Sequence, residues 1–320
     1  MLGVKVGGIV VVVAAAAALL GWLLISLSHA PQPREVPVAV VGKGAAVSRL
    51  AKSLDANPAF AVRRADDGAA ARRLIAERKV YGAYAPLAKS GRVIVASAAG
   101  VAVARLLRAS FTKLDAQRGV RTVIADAKAL PEHDAAGITG YVLALVGAMI
   151  AVLGAWWLEF WAPSIRRSPI AALLRLAVLV VLSLGVGAIL AAIATQLGIY
   201  EGDFLEVAGA VALAALGTAA VTTFLTSLAG VALGVIAGLS VFLVVGVLAT
   251  SGGGSAPEFL PDLWRQIGSW LPARSTIELV QNLVYFDHEA ITTPLLVLGG
   301  YVVGGIALML ALSPFRRVSS

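Results

Sequence analysis

The sequence predicts an α-helical integral membrane protein with six transmembrane helices and an α/β extracytoplasmic domain inserted between helices 1 and 2. Three observations predict this. Hydrophobic residues make up 59% of the 320 and charged residues only 14%, well short of the charged quarter of ordinary soluble domains. Uncharged apolar runs of about 20 residues, enough to cross roughly 30 Å of hydrocarbon as helix, recur along the chain. Between the first two runs the composition turns charged and amphipathic. The boundaries that follow are 1–30 for the first helix, 31–136 for the inserted domain and 137–320 for five further helices, with an outer interfacial loop at 251–293.

The apolar runs are 6–27, 138–158, 176–200, 207–250 and 291–312. The fourth spans 44 residues, about 66 Å as helix and twice the hydrocarbon thickness, so it must fold back once. The turn is expected near 227–230. Ser28-His29-Ala30 has the small-x-small form of a signal cleavage site. The run before it is longer than a signal core and is preceded only by Lys5, which favours a retained helix.

Orientation follows from Lys and Arg in the short loops. With the N-terminus inside, Lys5, Arg166, Arg167, Arg175, Arg316 and Arg317 face the cytoplasm, while the outer loops carry Arg265 and Arg274. Both termini are therefore expected in the cytoplasm and 31–136 outside a cell (plasma) membrane. Trp156, Trp157 and Trp161 then form an aromatic anchor at the cytoplasmic end of the second helix.

Within 31–136, extended runs at 36–41, 60–64, 80–85, 92–97 and 121–124 alternate with helical patterns at 46–54, 68–79 and 101–117. The order βαβαββαβ favours a partly parallel sheet covered by helices. This segment holds 18 Lys/Arg against 9 Asp/Glu, and the remainder holds 8 against 9, so the net charge of +8 belongs to one domain. Arg63, Arg64, Arg72, Arg73, Arg78 and Lys79 read as a solvated face or as an attractor of anionic lipid or envelope polymer. No nucleic-acid partner is expected, and the lipid bilayer is the main one. Gly42-Lys43-Gly44 begins like a dinucleotide fingerprint, but Val47 stands at the third glycine and the motif fails. There are no cysteines, and His29, His133 and His288 are scattered, so no metal or cofactor is expected.

Three surfaces are candidates for function. Leu260, Leu263, Trp264, Ile267 and Leu271, with Trp270 beside them, form an apolar stripe of helical period, expected to lie in the outer interface as a cap or a gate. Gly230, Gly234 and Gly238, and again Gly300 and Gly304, repeat at four-residue spacing and suit close helix packing or a homodimer face. Arg166, Arg167, Pro169 and Arg175 mark a short cytoplasmic helix, capped by Ser168, that serves as a topology signal or a docking element.

The chain resembles the phage infection protein (YhgE/Pip-like) group and the related type-2 ABC exporter permeases. The resemblance rests on Val38-Ala39-Val40-Val41, on Leu130-Pro131-Glu132-His133-Asp134 with Gly137, and on Glu258 to Trp264 through Leu271-Pro272 to Tyr285-Phe286-Asp287. Gln281 departs from the group's frequent Arg, and Ser251-Gly252-Gly253-Gly254 from its Gly-Asn-Pro-like start. The resemblance implies a permease-like subunit that exports a lipid, peptide or cell-envelope precursor, works with a homodimeric or related permease partner, and depends on a separate cytosolic ATPase. The chain itself has no phosphate-binding loop motif and no expected enzymatic activity. A nontransporting envelope receptor or assembly scaffold is the alternative.

Overall fold

The computed structural model describes residues 18, 21, 22, 25, 32–161, 169–249 and 256–312. Apart from four positions, the apolar run 6–27 lies outside the described residues, as do Arg166, Arg167, Ser168 and the 251–254 stretch.

Residues 36–126 form a five-stranded sheet with three helices. In chain order these are β1 (Val36–Val41), α1 (Ala45–Asp55), β2 (Phe60–Ala65), α2 (Gly68–Ala76), β3 (Gly82–Pro86), β4 (Ser90–Val95), α3 (Val101–Gln117) and β5 (Arg121–Asp126). The strands lie in the order β2-β1-β3-β4-β5. All neighbours are parallel except β3 and β4, whose three-residue connection is too short for a crossover. Alternating residues of β1 serve opposite faces. Val36 and Val38 join Leu107 and Phe111 of α3, whereas Ala39 and Val41 join Ala71 and Ile75 of α2. Asp115 of α3 is fully buried and accepts hydrogen bonds from the Tyr84 hydroxyl, from Arg118 Nη1 at 3.1 Å and from Thr122 Oγ1 at 2.9 Å, tying that helix to the sheet.

The rest is helical: α4 (Thr139–Trp161), α5 (Pro169–Gln196), α6 (Phe204–Ala229), α7 (Val231–Gly238) running into π-helical turns at Leu239–Ala249, α8 (Asp262–Ser269), α9 (Pro272–Tyr285) and α10 (Thr292–Leu312). Four segments are long and apolar enough to cross a membrane: Thr139–Trp161, Ala172–Gln196, Phe204–Ala229 and Thr292–Ala311. The chain is thus a helical membrane protein. Half of the α6 window is buried, against 22–33% for the other three, which makes α6 the axis of the bundle.

Close approach to that axis uses small residues, because helices in lipid associate through packing rather than exclusion from water. A Cβ on Gly187 of α5 would meet the Ala208 carbonyl and would lie 2.9 Å from Ala212 Cβ. A Cβ on Gly217 would lie 2.9 Å from Tyr301 Cβ of α10. The long run 207–250 breaks at Gly230, whose φ of +86° is in the left-handed region that glycine adopts freely. The break falls where the length argument puts the turn. The segment after it, Val231–Val247, is shorter than the four membrane-length helices.

Several expectations need correction. The short cytoplasmic helix expected before the third run does not exist separately, since Pro169 through Arg175 are the first two turns of the 28-residue α5. Arg175 is buried and pairs with the fully buried Glu159 of α4 at 3.0 Å, so it presents no docking surface. The stripe from Leu260 to Leu271 is not one helix: α8 covers only Asp262–Ser269, and α9 begins at Pro272. Leu260 and Leu271 are buried, Trp264 and Ile267 half-buried, and Leu263 and Trp270 exposed. Among the glycines, Gly234 and Gly238 pack within this chain against Thr226 and Thr222. A Cβ at Gly300 or Gly304 would meet nothing within 4 Å among the described residues. The close approach on α10 falls one position later, at Gly305, where a Cβ would lie 3.0 Å from Ala220 Cβ.

Candidate functional site

A polar cleft lies where the sheet unit meets the bundle. On the sheet side, α2 ends in a Schellman turn: Lys79 N–H bonds the Leu74 carbonyl at 2.9 Å and Arg78 N–H bonds the Ile75 carbonyl at 3.0 Å. This places Arg78 at φ +58°, a left-handed conformation that a non-glycine residue keeps only where its surroundings hold it. The Arg78 guanidinium stacks 4.6 Å over the Phe286 ring and donates from Nη2 to Gln281 Oε1 at 3.3 Å.

On the bundle side, α9 carries Arg274, Glu278, Gln281 and Asn282 at i, i+4, i+7 and i+8, so that helical periodicity gathers them into one stripe. Arg274 Nε donates to Glu278 Oε1 at 2.7 Å, and its Nη1 to the Arg265 carbonyl at 3.1 Å. Leu279 and Val280, on other faces of α9, join the bundle core. From the segment before α8, Glu258 Oε2 accepts the Tyr81 hydroxyl at 2.8 Å. Burial, reinforced by the Glu258 charge, pushes the Tyr81 phenol well above its ordinary pKa, which leaves it a donor at neutral pH.

The main cavity here is about 290 Å³ and is lined by Arg78, Tyr81, Glu258, Arg274, Glu278 and Asn282, with Pro37, Val80, Ala99, Ala290, Thr293 and Pro294 completing the wall. A second cavity of about 60 Å³ adjoins it through shared residues Arg78, Tyr81, Arg274 and Glu278. Two residues of this wall each carry a buried polar atom with no hydrogen-bond partner among the described residues: Arg78 Nη1 and Asn282 Oδ1. Asn282 is 97% buried, since its relative exposure is 3%. Its Nδ2 donates to the Ala290 carbonyl at 3.0 Å, which fixes the amide's orientation because that carbonyl can only accept.

Latches surround the cleft. Lys128 bonds Asp287 at 2.6 Å, Arg265 bonds Glu35 at 2.9 Å, and Arg34 N–H bonds the Glu258 carbonyl at 2.9 Å. Phe286 is fully buried in the apolar cluster under the sheet. In the loop from α9 to α10, Asp287, His288 and Ala290 all have positive φ, so this connection is held under strain beside the cleft. His288 pairs with Glu206 of α6 at 2.8 Å.

Of the residues singled out from sequence, Leu260 and Leu271 are buried near this junction. Gly230, Gly234 and Gly238 serve α6 and α7, Gly300 and Gly304 of α10 meet nothing within 4 Å among the described residues, Arg175 lies at the opposite end of the bundle, and Arg166 and Arg167 lie outside the described residues. Of the proposed basic face, Arg63, Arg64, Arg72, Arg73 and Lys79 are exposed, while Arg78 turns inward. The α9 spacing could have flagged Arg274, Glu278 and Asn282. Nothing local connects them to Arg78, about 200 residues earlier. Among the described residues no group of three or more His, Asp or Glu is placed to hold a metal. The arrangement is that of a small polar binding site with apolar walls.

Fold and cleft define the class: a membrane-embedded helical protein bearing a mixed sheet on one end of its bundle. No protein-family model, curated protein or solved structure matches the chain.

Proposed function

We propose that this chain is the permease-like membrane subunit of an ABC-type exporter for a lipid, peptide or envelope precursor, powered by an ATPase on a separate chain. In this reading the protein has six spans, adding 6–27 and the Val231–Ala249 segment to the four long helices. Both termini are cytoplasmic, and the α/β unit at 31–136 lies outside the plasma membrane. The reading is carried by the cleft, which sheet unit and bundle build together at one end of the bundle, the end toward which α5 runs. That helix is 28 residues long, about 42 Å at 1.5 Å per residue. The loop beyond its far end meets the segment that joins the sheet unit to α4, where a Cβ at Gly198 would stand 3.1 Å from the His133 ring. An ATPase that pushed on the 162–168 connection through Arg166 and Arg167 would move a rigid lever ending at the His133 segment that joins the sheet unit to the bundle, a rigid-body class of transition.

The test is purification of the tagged full chain from its native membrane, followed by ATP hydrolysis in the eluate. Recovery of an ATPase that is lost on replacing Arg166 and Arg167 with Gln, with orientation unchanged, supports the reading. If no ATPase accompanies the unmodified chain, transport gives way to an envelope receptor or scaffold.

A further inference from the structure

We infer that the 290 Å³ cleft binds the headgroup of a lipid bearing a primary ammonium and a phosphate, that is, a phosphoethanolamine zwitterion. The inference deepens the proposed function by naming a substrate class and rests on that reading's placement of the bundle in a membrane, not on an ATPase partner.

Depth is the first argument. Thr293 and Pro294, in the first turn of the membrane-length helix α10, form part of the cavity wall. The cavity thus sits at the end of a spanning helix, where phospholipid headgroups lie. Its volume of about 290 Å³ is at the small-molecule end of ligand sites.

Charge is the second. The wall carries two arginines, Arg78 and Arg274, and two glutamates, Glu258 and Glu278. A half-buried surface of balanced charge disfavours a net anion or a net cation, because each leaves one sign uncompensated. A zwitterion satisfies both signs.

The third argument is the pair of unsatisfied atoms. Among the described residues Arg78 Nη1 is a donor without an acceptor, and Asn282 Oδ1 an acceptor without a donor. Leaving either buried and unmade costs free energy. A phosphate oxygen satisfies the first. An N–H of a primary ammonium satisfies the second, and its other N–H groups are matched by the Glu258 and Glu278 carboxylates. A trimethylated ammonium has no N–H to give, so this chemistry separates ethanolamine from choline headgroups. Arg78 is held in place by the left-handed turn after α2 and by the Phe286 ring beneath its guanidinium.

The experiment uses the detergent-solubilised full chain and native mass spectrometry, titrating dihexanoyl phosphatidylethanolamine, its phosphatidylcholine and phosphatidylglycerol counterparts, and soluble O-phosphoethanolamine. The ethanolamine lipid should bind at least tenfold more tightly than either counterpart. Arg78→Gln should reduce that affinity about tenfold and Arg78→Lys less. Equal binding of the ethanolamine and choline lipids, or preference for the glycerol lipid, overturns the inference. Soluble O-phosphoethanolamine binding as tightly as the lipid supports the zwitterion site and overturns the lipid as its source. Selectivity is read on the unmodified protein, so the test survives misfolding of a variant. A failed ATPase recovery leaves it untouched, and a failed binding titration leaves the ATPase result standing.

Discussion

Replacing Gly234 with Ala should loosen the hairpin between α6 and α7. A Cβ at that position would press into the Thr226 backbone and would stand 2.7 Å from the Leu225 carbonyl carbon, whereas ordinary contact begins at 3.4 Å. The obstacle is backbone, so no rotamer change relieves it and the two helices must separate by at least about 0.7 Å. A radial gap of this size forfeits a quarter to a half of each dispersion contact along the seam. Overpacking of this kind costs about 1–3 kcal/mol, and each kcal/mol lowers Tm by about 2–4 °C in chains of 150–250 residues. The same change at Gly300 or Gly304 meets nothing within 4 Å among the described residues and should leave Tm within about a degree. Thermal unfolding in detergent, followed by tryptophan fluorescence on all three variants, makes the comparison. A Gly234→Ala protein that melts with wild type, or a Gly300→Ala protein that melts as low as Gly234→Ala, refutes the packing argument.

Asp115→Asn should destabilise the sheet unit by about 1–3 kcal/mol, because a buried carboxylate with three donors loses its charge and part of its accepting capacity. In the same variant the Tyr84 phenol, pushed up to about 12 by burial first and by Asp115 second, should titrate lower but still above its ordinary value, as read by tyrosinate absorbance; an unchanged titration counts against the contact. Glu206, with Asp203 and Asp287 nearby, holds the His288 pKa above its ordinary value, so the protonated pair is fully formed below about pH 6.5 and is lost as pH rises through the raised pKa. Hydrogen exchange of residues 286–291 should therefore speed up over that window beyond the intrinsic base-catalysed rate, and His288→Gln should abolish the excess. Leu263 and Trp270 stand exposed on α8 and just beyond it; if they meet the membrane interface, brominated lipids should quench wild-type fluorescence more than that of Trp270→Phe, and equal quenching rules the contact out.

The sequence by itself determined the elements whose signals are local. Run length alone exposes the four membrane-length helices, because hydrocarbon thickness imposes a minimum length and excludes charge. The strands and helices over 36–126 are visible in their periods, and the break at Gly230 follows from a run too long to cross once. Tertiary structure alone decided what those elements do to one another. Glycine spacing could not separate Gly234, pressed on Thr226, from Gly300, which meets none of the described residues, because spacing records a helix face but not which neighbour covers it. Arg175 is written as a loop cation, yet it is buried because α4 brings Glu159 to within 3.0 Å of it. Arg78 sits among exposed arginines in sequence and turns inward only because the loop after α9 brings Phe286 beneath it and α9 brings Gln281 alongside. The cleft joins residues some 200 positions apart, and long-range pairing of this kind depends on how the whole chain closes, which no local pattern encodes.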